Sequence, residues 1–281
     1  MSTLLLEQVD LTEEEFEKIA VLVKDLCGIN LHQGKRELVK SRLAKRLRQL
    51  GMSEFRQYID FVNKRENRAE VISMLDMIST NLTSFFREVQ HFDFLSEHVI
   101  RPAVALGSSS NRRLRIWSAG CSTGEEPYSI AIRILEDIPN IVGWDIKILA
   151  TDLSTRALAT AKEGVYERDS LDGLGKGIVS KYFTPVDAGQ RTAYRVKDSV
   201  KRLVSFGRLN LMGHWPMKGL FNVIFCRNVM IYFDKDTQSK LINRFWNKLV
   251  PKGIQFIGHS ESLAGVQHRF RYVEPTVYER P

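Results

Sequence analysis

Through the first eighty residues, apolar positions recur every three to four places; beyond residue 113 they gather into short runs separated by helical stretches. The first pattern predicts helices at about 12–27, 35–50, 53–64 and 67–80, each turning one apolar stripe to a core. Thr12 and Ser53 stand where N-caps belong, and Gly28 and Gly51 where the first two helices should end. A linking helix over 88–106 is expected to break at Arg101-Pro102, and the polar run Gly107–Asn111 to form a loop.

The second pattern predicts strands at about 114–118, 146–151, 203–208, 221–226 and 253–258, with helices near 126–137, 154–163 and 235–249. Asp234 is placed to cap the last helix, and Pro251-Lys252-Gly253 to close it. Such alternation gives an α/β fold, a mostly parallel sheet covered on both faces. A hairpin over about 269–279, turning through Glu274-Pro275, would add an antiparallel edge. Residues 165–202 break the alternation with Gly173, Gly175 and Gly177, then Tyr182-Phe183 and the strand-like Thr192–Val196. That is too long for an ordinary connection, so a small β-subdomain is expected as an insertion. The expected organisation is an all-helical domain over 1–90, a linker over 91–112 and an α/β domain over 113–281.

A chain of 281 residues can hold one such α/β domain with a smaller companion. No apolar run approaches the roughly 20 residues needed to cross a bilayer, and the N-terminus lacks a signal-peptide pattern. Cys27, Cys121 and Cys226 lie far apart and form no Cys-x-x-Cys pair. The expectation is a reduced cytoplasmic protein with no disulfide and no metal site, its cysteines acting as small packing residues.

The net charge of +8 points to an acidic partner, and its distribution sharpens that. Residues 1–30 carry seven acids against Lys18 and Lys24. Residues 35–48 then carry Lys35, Arg36, Lys40, Arg42, Lys45, Arg46 and Arg48 against the single Glu37. With Val39, Leu43, Leu47 and Leu50 at helical spacing, the segment is an amphipathic helix whose basic outer face exceeds what solubility requires. Docking to an acidic surface is favoured over a merely solvated face.

Candidate chemistry concentrates at residues 116–129, Ile-Trp-Ser-Ala-Gly-Cys-Ser-Thr-Gly-Glu-Glu-Pro-Tyr-Ser. An apolar strand ends in a turn with Gly120 and Gly124, and a helix begins at Glu125-Glu126-Pro127, where proline suits the first turn. The spacing is not the Gly-x-Gly-x-x-Gly of dinucleotide binders, and two carboxylates at the helix start would repel a phosphate. The turn suits a nucleotide-like ligand without phosphates, S-adenosylmethionine being the obvious one; it could also be an ordinary strand-to-helix turn. A second strand ends at Thr151-Asp152, where an acid can hold ribose hydroxyls or simply cap the next helix. Phe85, Phe86 and Trp117 read as core residues rather than stacking platforms, and His259 as a wall residue.

Four stretches together resemble the chemotaxis receptor methyltransferase family (CheR): Asn81-Leu82-Thr83-Ser84-Phe85-Phe86-Arg87, Ala119–Ser129, Phe225–Phe233 and Gly258-His259-Ser260-Glu261. The resemblance continues into the basic helix and so covers nearly the whole chain. It implies a Rossmann-like sheet with an all-α N-terminal domain, and methyl transfer from S-adenosylmethionine to receptor glutamates, with S-adenosylhomocysteine as product. It implies cofactor contacts at Asn81, Thr83, Arg87, Ala119, Gly120, Glu125, Asp152, Asn210, Leu211, Arg227 and Asn228, and places Arg87 and Tyr232 beside the transferring methyl. Arg87 would either orient the substrate carboxylate or hold the cofactor's own. The implied partner is the cytoplasmic helical region of methyl-accepting receptors, met by Lys35, Arg36, Arg42, Lys45 and Arg46 of a monomer. In some members the β-subdomain grips a receptor's C-terminal peptide; here it could equally be a flap. A nucleic-acid methyltransferase and a non-catalytic cofactor-sensing module are the rival classes. The first lacks its Asn/Asp-Pro-Pro-aromatic signature, and Arg87, Asn228 and Tyr232 argue against the second.

Overall fold

The computed structural model describes residues 10–105, 112–138, 140–188 and 191–281; the loop expected at Gly107–Asn111 lies outside them. The chain divides into two compact units, one running up to Thr80 with Tyr232–Asp234, the other comprising Asn81–Ile231 and Lys235–Pro281.

The first unit is built on α1 (Glu13–Cys27), α2 (Arg36–Gln49), α3 (Phe55–Val62) and α4 (Arg68–Ile78). Thr12 and Glu15 form a reciprocal capping box, and Glu13, Glu14 and Glu15 place negative charge at the positive end of α1. Gly28 ends it with φ at 79°, a conformation other side chains resist. Phe16, Ile19, Val23 and Cys27 of α1 and Val39, Leu43 and Leu47 of α2 are the buried stripes. Ser53 is not the cap of α3. Glu54 occupies that position without a side-chain bond, and the Ser53 N–H donates to Gln57 Oε1 at 3.4 Å.

The helical unit ends at Thr80 rather than near 90. The reason is apolar: Phe85, Phe92, Phe94, Leu95 and Ile100 belong to the same core as the sheet strands. Helix α5 (Gln90–Phe94) runs through a π-helical stretch, Leu95–Ile100, into α6 (Arg101–Ala105), so Pro102 does not interrupt it. The Arg101 N–H bonds back five residues to Ser96, and this wide turn accommodates a proline that has no N–H to donate.

The sheet unit proceeds through β1 (Arg113–Ala119), α7 (Glu125–Asp137), β2 (Asp145–Asp152), α8 (Thr155–Glu163), β3 (Val165–Glu167), α9 (Lys176–Tyr182), β4 (Phe183–Ala188) and β5 (Arg191–Val196). It continues with α10 (Asp198–Lys201), β6 (Val204–Arg208), β7 (Phe221–Phe225), α11 (Lys235–Trp246), β8 (Leu249–Phe256), β9 (Arg271–Glu274) and β10 (Val277–Glu279). Seven strands form one sheet in the order β6-β2-β1-β7-β8-β10-β9; the four pairings from β6 to β8 are parallel, and β10 and β9 close it antiparallel. Strands β3, β5 and β4 form the separate antiparallel sheet of the insertion. Tyr166, Tyr182, Phe183 and Val196 tie that insertion into the main core.

Pro251-Lys252-Gly253 does not terminate a helix as expected. Helix α11 stops at Trp246, and the tripeptide bends inside β8, where Lys252 and Gly253 exchange backbone hydrogen bonds with Arg280. A Cβ on Gly253 would lie 2.7 Å from the Val250 carbonyl oxygen, so the bend requires glycine.

Candidate functional site

Four adjacent parallel strands, β6, β2, β1 and β7, end on one side of the sheet, and the loops that follow their carboxyl ends carry most of the candidate residues. After β1, Gly120 and Gly124 take φ values of 89° and 101°. A Cβ on Gly120 would meet Val229 Cγ2 at 2.4 Å, so the glycine lets the loop after β7 approach. The Gly120 and Cys121 N–H groups both donate to the Thr151 carbonyl, at 2.8 and 2.9 Å, which fastens the loop to the end of β2.

Asp152 sits at that end. Its Oδ2 accepts the Ser122 N–H and its Oδ1 the Ser154 N–H, both at 2.8 Å, so the carboxylate faces a fixed direction. It does not cap α8; Ser154 does, accepting the Ala157 N–H. The Ser122 hydroxyl donates to the Asn81 carbonyl at 2.8 Å, bringing the 81–87 segment against the glycine loop. The Leu209 N–H donates to the Asp152 carbonyl at 2.9 Å, which sets Asn210 and Leu211 at the next strand end. Glu125 is buried at the start of α7 and accepts the Thr123 hydroxyl at 2.7 Å; burial raises its pKa above the ordinary carboxylate value. Burial likewise pushes the Cys121 and Cys226 thiols up, so both are inert packing groups.

An ion group that no local pattern of residues announces joins Glu88, Arg227 and Glu126. Arg227, its side chain 2% exposed, donates to Glu88 Oε2 at 2.9 Å and to Glu126 Oε2 at 3.2 Å, and also to the Arg87 carbonyl. Glu126 in turn accepts the Ser118 hydroxyl at 2.7 Å. Burial acts to raise Glu88, but attraction and hydrogen bonds from Arg227 outweigh it and hold that carboxyl low; for Glu126 burial prevails and its pKa is raised. Phe86 and Glu88, on either side of Arg87, have φ of 50° and 57°. Left-handed backbone costs a non-glycine residue about 1–2 kcal/mol. Here Ser129 Oγ accepting the Phe86 N–H at 2.9 Å, and Arg227 on the Arg87 carbonyl, hold the segment in place.

His91, 1% exposed, lies beside Glu88, and burial followed by repulsion from Arg227 lowers its pKa to about 3. Donor atoms of Glu88, His91 and His259 lie within 4.8 Å of one another, and the Arg227 guanidinium already supplies positive charge there.

The sheet unit thus brings together Asn81, Arg87, Ala119, Gly120, Glu125, Asp152, Asn210, Leu211, Arg227 and Asn228, with Thr83 half-buried on the same segment as Asn81. Tyr232 is grouped with the helical unit, where its carbonyl accepts the Asn30 N–H at 2.7 Å. Phe85 and Trp117 are buried in packing, as expected, and His259 is exposed.

In the helical unit the basic face of α2 is not the unpartnered row that the pattern implied. Arg46 grips buried Glu70 with Nε and Nη2. Arg42 donates to the Ile78 and Ser79 carbonyls at the end of α4, Arg36 to the Leu11 carbonyl, and Lys40 pairs with Asp10 at 2.7 Å. Lys35, Lys45 and Arg48 remain exposed.

Known proteins resemble the chain over nearly its full length. Residues 81–279 match the CheR methyltransferase SAM-binding domain, and residues 14–79 its all-alpha domain. A probable chemotaxis protein methyltransferase of Rhizobium etli is 44% identical over 253 residues, 90% of this chain and 94% of the relative. Chemotaxis protein methyltransferases of Borreliella burgdorferi and Escherichia coli are 40% and 36% identical, each over 97% of this chain and over 96% and 92% of their own lengths.

Proposed function

The chain belongs to the CheR methyltransferase family, and we propose that it carries a methyl group from S-adenosylmethionine to glutamate side chains of methyl-accepting chemotaxis receptors, leaving glutamyl methyl esters. The observation that carries this reading is the pairing of a phosphate-averse glycine loop with an oriented acid at the end of the neighbouring strand. Carboxylates at the start of α7 and at Asp152 fit a hydroxyl-bearing, cationic nucleoside and oppose a phosphate.

S-adenosylmethionine supplies an electrophilic methyl on a sulfonium. Asp152, fixed by its two backbone N–H donors, would accept from the ribose hydroxyls. Asn210 and Leu211 would hold the adenine, and Asn81, Thr83, Ala119, Gly120, Glu125 and Asn228 would complete the walls. A substrate glutamate has an ordinary pKa of about 4.3 and is already ionised at neutral pH, so the chain need not abstract a proton. Charge disperses as the methyl moves; a tight ion pair to the attacking carboxylate would stabilise the starting state more than the transition state. The task of Arg87 is therefore to position, by a side-on hydrogen bond to the substrate or by holding the cofactor's carboxylate. Arg227, committed to Glu88, Glu126 and the Arg87 carbonyl, serves by holding Arg87.

Docking to acidic receptor helices falls to Lys35, Lys45 and Arg48, while Arg36, Arg42 and Arg46 support the fold that presents them. No helix among the described residues is long and apolar enough to cross a membrane. We place the reaction at the cytoplasmic part of the receptors. The test is transfer of labelled methyl from S-adenosylmethionine to receptor-containing membranes. Label on the receptor band supports the reading; label on added nucleic acid with none on receptor overturns it.

A further inference from the structure

We propose that Glu261 is a positioning residue for the cofactor site: its buried carboxylate holds the turn that presents Asn228. The inference rests on the reading of Asn228 as a cofactor contact. Strands β7 and β8 run parallel and adjacent, and the turns after them carry Asn228–Ile231 and Gly258–Glu261. The Glu261 carboxylate, 8% exposed, lies between those turns. Its Oε2 accepts the Gly258 N–H at 2.5 Å and the Asn228 N–H at 2.9 Å; its Oε1 accepts the Met230 N–H at 2.7 Å and the Ile231 N–H at 3.3 Å. Four main-chain donors from two strand ends therefore converge on one side chain.

The backbone there depends on that carboxylate. Asn228 has φ of 58°, left-handed and strained for a residue with a side chain. A Cβ on Gly258 would lie 2.6 Å from Asn228 Nδ2 and 2.8 Å from its backbone nitrogen, so the two turns touch and only glycine fits. Asn228 Nδ2 also reaches Ser260 Oγ at 3.3 Å. The next residue, Val229, packs against Gly120 of the cofactor loop. Without an anionic acceptor, the four buried N–H groups would seek other partners and the turn would relax from its strained form, moving Asn228 and Val229 together.

Glu261→Gln tests this, because it keeps the shape while replacing one acceptor oxygen with an amide that faces two N–H donors. S-adenosylhomocysteine binding to the full chain is measured by calorimetry at 10 °C for wild type, Glu261→Gln, Asn228→Ala and the double variant. Circular dichroism at the same temperature checks that each is folded. The expectation is at least tenfold weaker binding by Glu261→Gln and by Asn228→Ala, with the double variant within threefold of Asn228→Ala alone, since one residue acts through the other. A merely structural Glu261 would lower the unfolding temperature without that non-additivity. Wild-type affinity in Glu261→Gln, or losses that multiply in the double variant, overturns the inference. Unchanged affinity in Asn228→Ala overturns instead the assignment on which it rests. Should Glu261→Gln not fold, Glu261→Asp, charged but one methylene short, goes through the same cycle with the same expectations.

Discussion

Replacing Arg46 by methionine should unfold the helical unit far more readily than replacing its neighbour Lys45. Arg46 donates Nε to Glu70 Oε1 at 2.9 Å and Nη2 to Glu70 Oε2 at 2.6 Å, and the Tyr58 hydroxyl completes the shell at 2.8 Å. Glu70 is only 6% exposed, so removing its cation strands a buried carboxylate. Stranding one partner of a fully buried pair costs about 3–5 kcal/mol. The Arg46 side chain keeps 26% of its exposure, so water can reach part of the site and the lower end, about 3 kcal/mol, applies. Lys45 is exposed, and Lys45→Met should change stability by no more than about 0.5 kcal/mol. Urea unfolding followed by far-ultraviolet circular dichroism measures both. Adding Glu70→Gln to Arg46→Met should recover more than half the loss, because no unpaired charge then remains. A loss below about 0.5 kcal/mol for Arg46→Met, or simple additivity in the pair, would refute the reasoning and return Arg46 to the class of solvated surface charges.

Acid should weaken the sheet unit through His91. A histidine held neutral, with its folded pKa lowered from 6.5 to about 3, contributes its full stability above pH 6.5 and loses it as pH falls toward 3. Between pH 6.5 and 5 that is about 2 kcal/mol, and unfolding free energies of His91→Phe should lack this part of the decline; a parallel decline in both proteins would exclude His91 as its source. Asp152→Asn should weaken S-adenosylmethionine and S-adenosylhomocysteine alike by about 1.5–3 kcal/mol, the range for hydrogen bonds to a charged acceptor. Unchanged calorimetric affinity would remove Asp152 from the site. Lys45→Glu with Arg48→Glu should raise the receptor KM and flatten its salt dependence while leaving S-adenosylhomocysteine affinity near wild type. Equal loss of both functions would show that these cations do not act in docking.

What the sequence conveyed, and what it did not, divides by the range of the interaction. The Thr12 cap of α1 acts within one turn, and the parallel strands are short apolar runs, so both were readable along the chain. The glycine loop and Asp152 were readable because positive φ and an acid at a strand end each demand a residue type. The partners of the α2 cations were not, since Glu70 lies 24 residues from Arg46 and the Ile78 carbonyl 36 from Arg42. The Glu88–Arg227–Glu126 group joins residues 139 and 101 positions apart. Glu261 was visible as part of a motif, but its four partners are backbone groups, which leave no mark in a pattern of side chains. Pro251-Lys252-Gly253 misled because a helix stop and a bend within a strand ask for the same residues.

The central claim is that the methyl group ends on a carboxylate oxygen, and the stability of the product's bond to alkali tests it most directly. Receptor membranes labelled by the purified chain and S-adenosylmethionine are treated with mild base, and volatile label is counted. A glutamyl ester hydrolyses under these conditions, so the account predicts that the label leaves as methanol and that a carboxylate remains on the receptor. Label that stays on the protein after the same treatment would mean transfer to nitrogen or another alkali-stable position, and would contradict the assignment of the substrate.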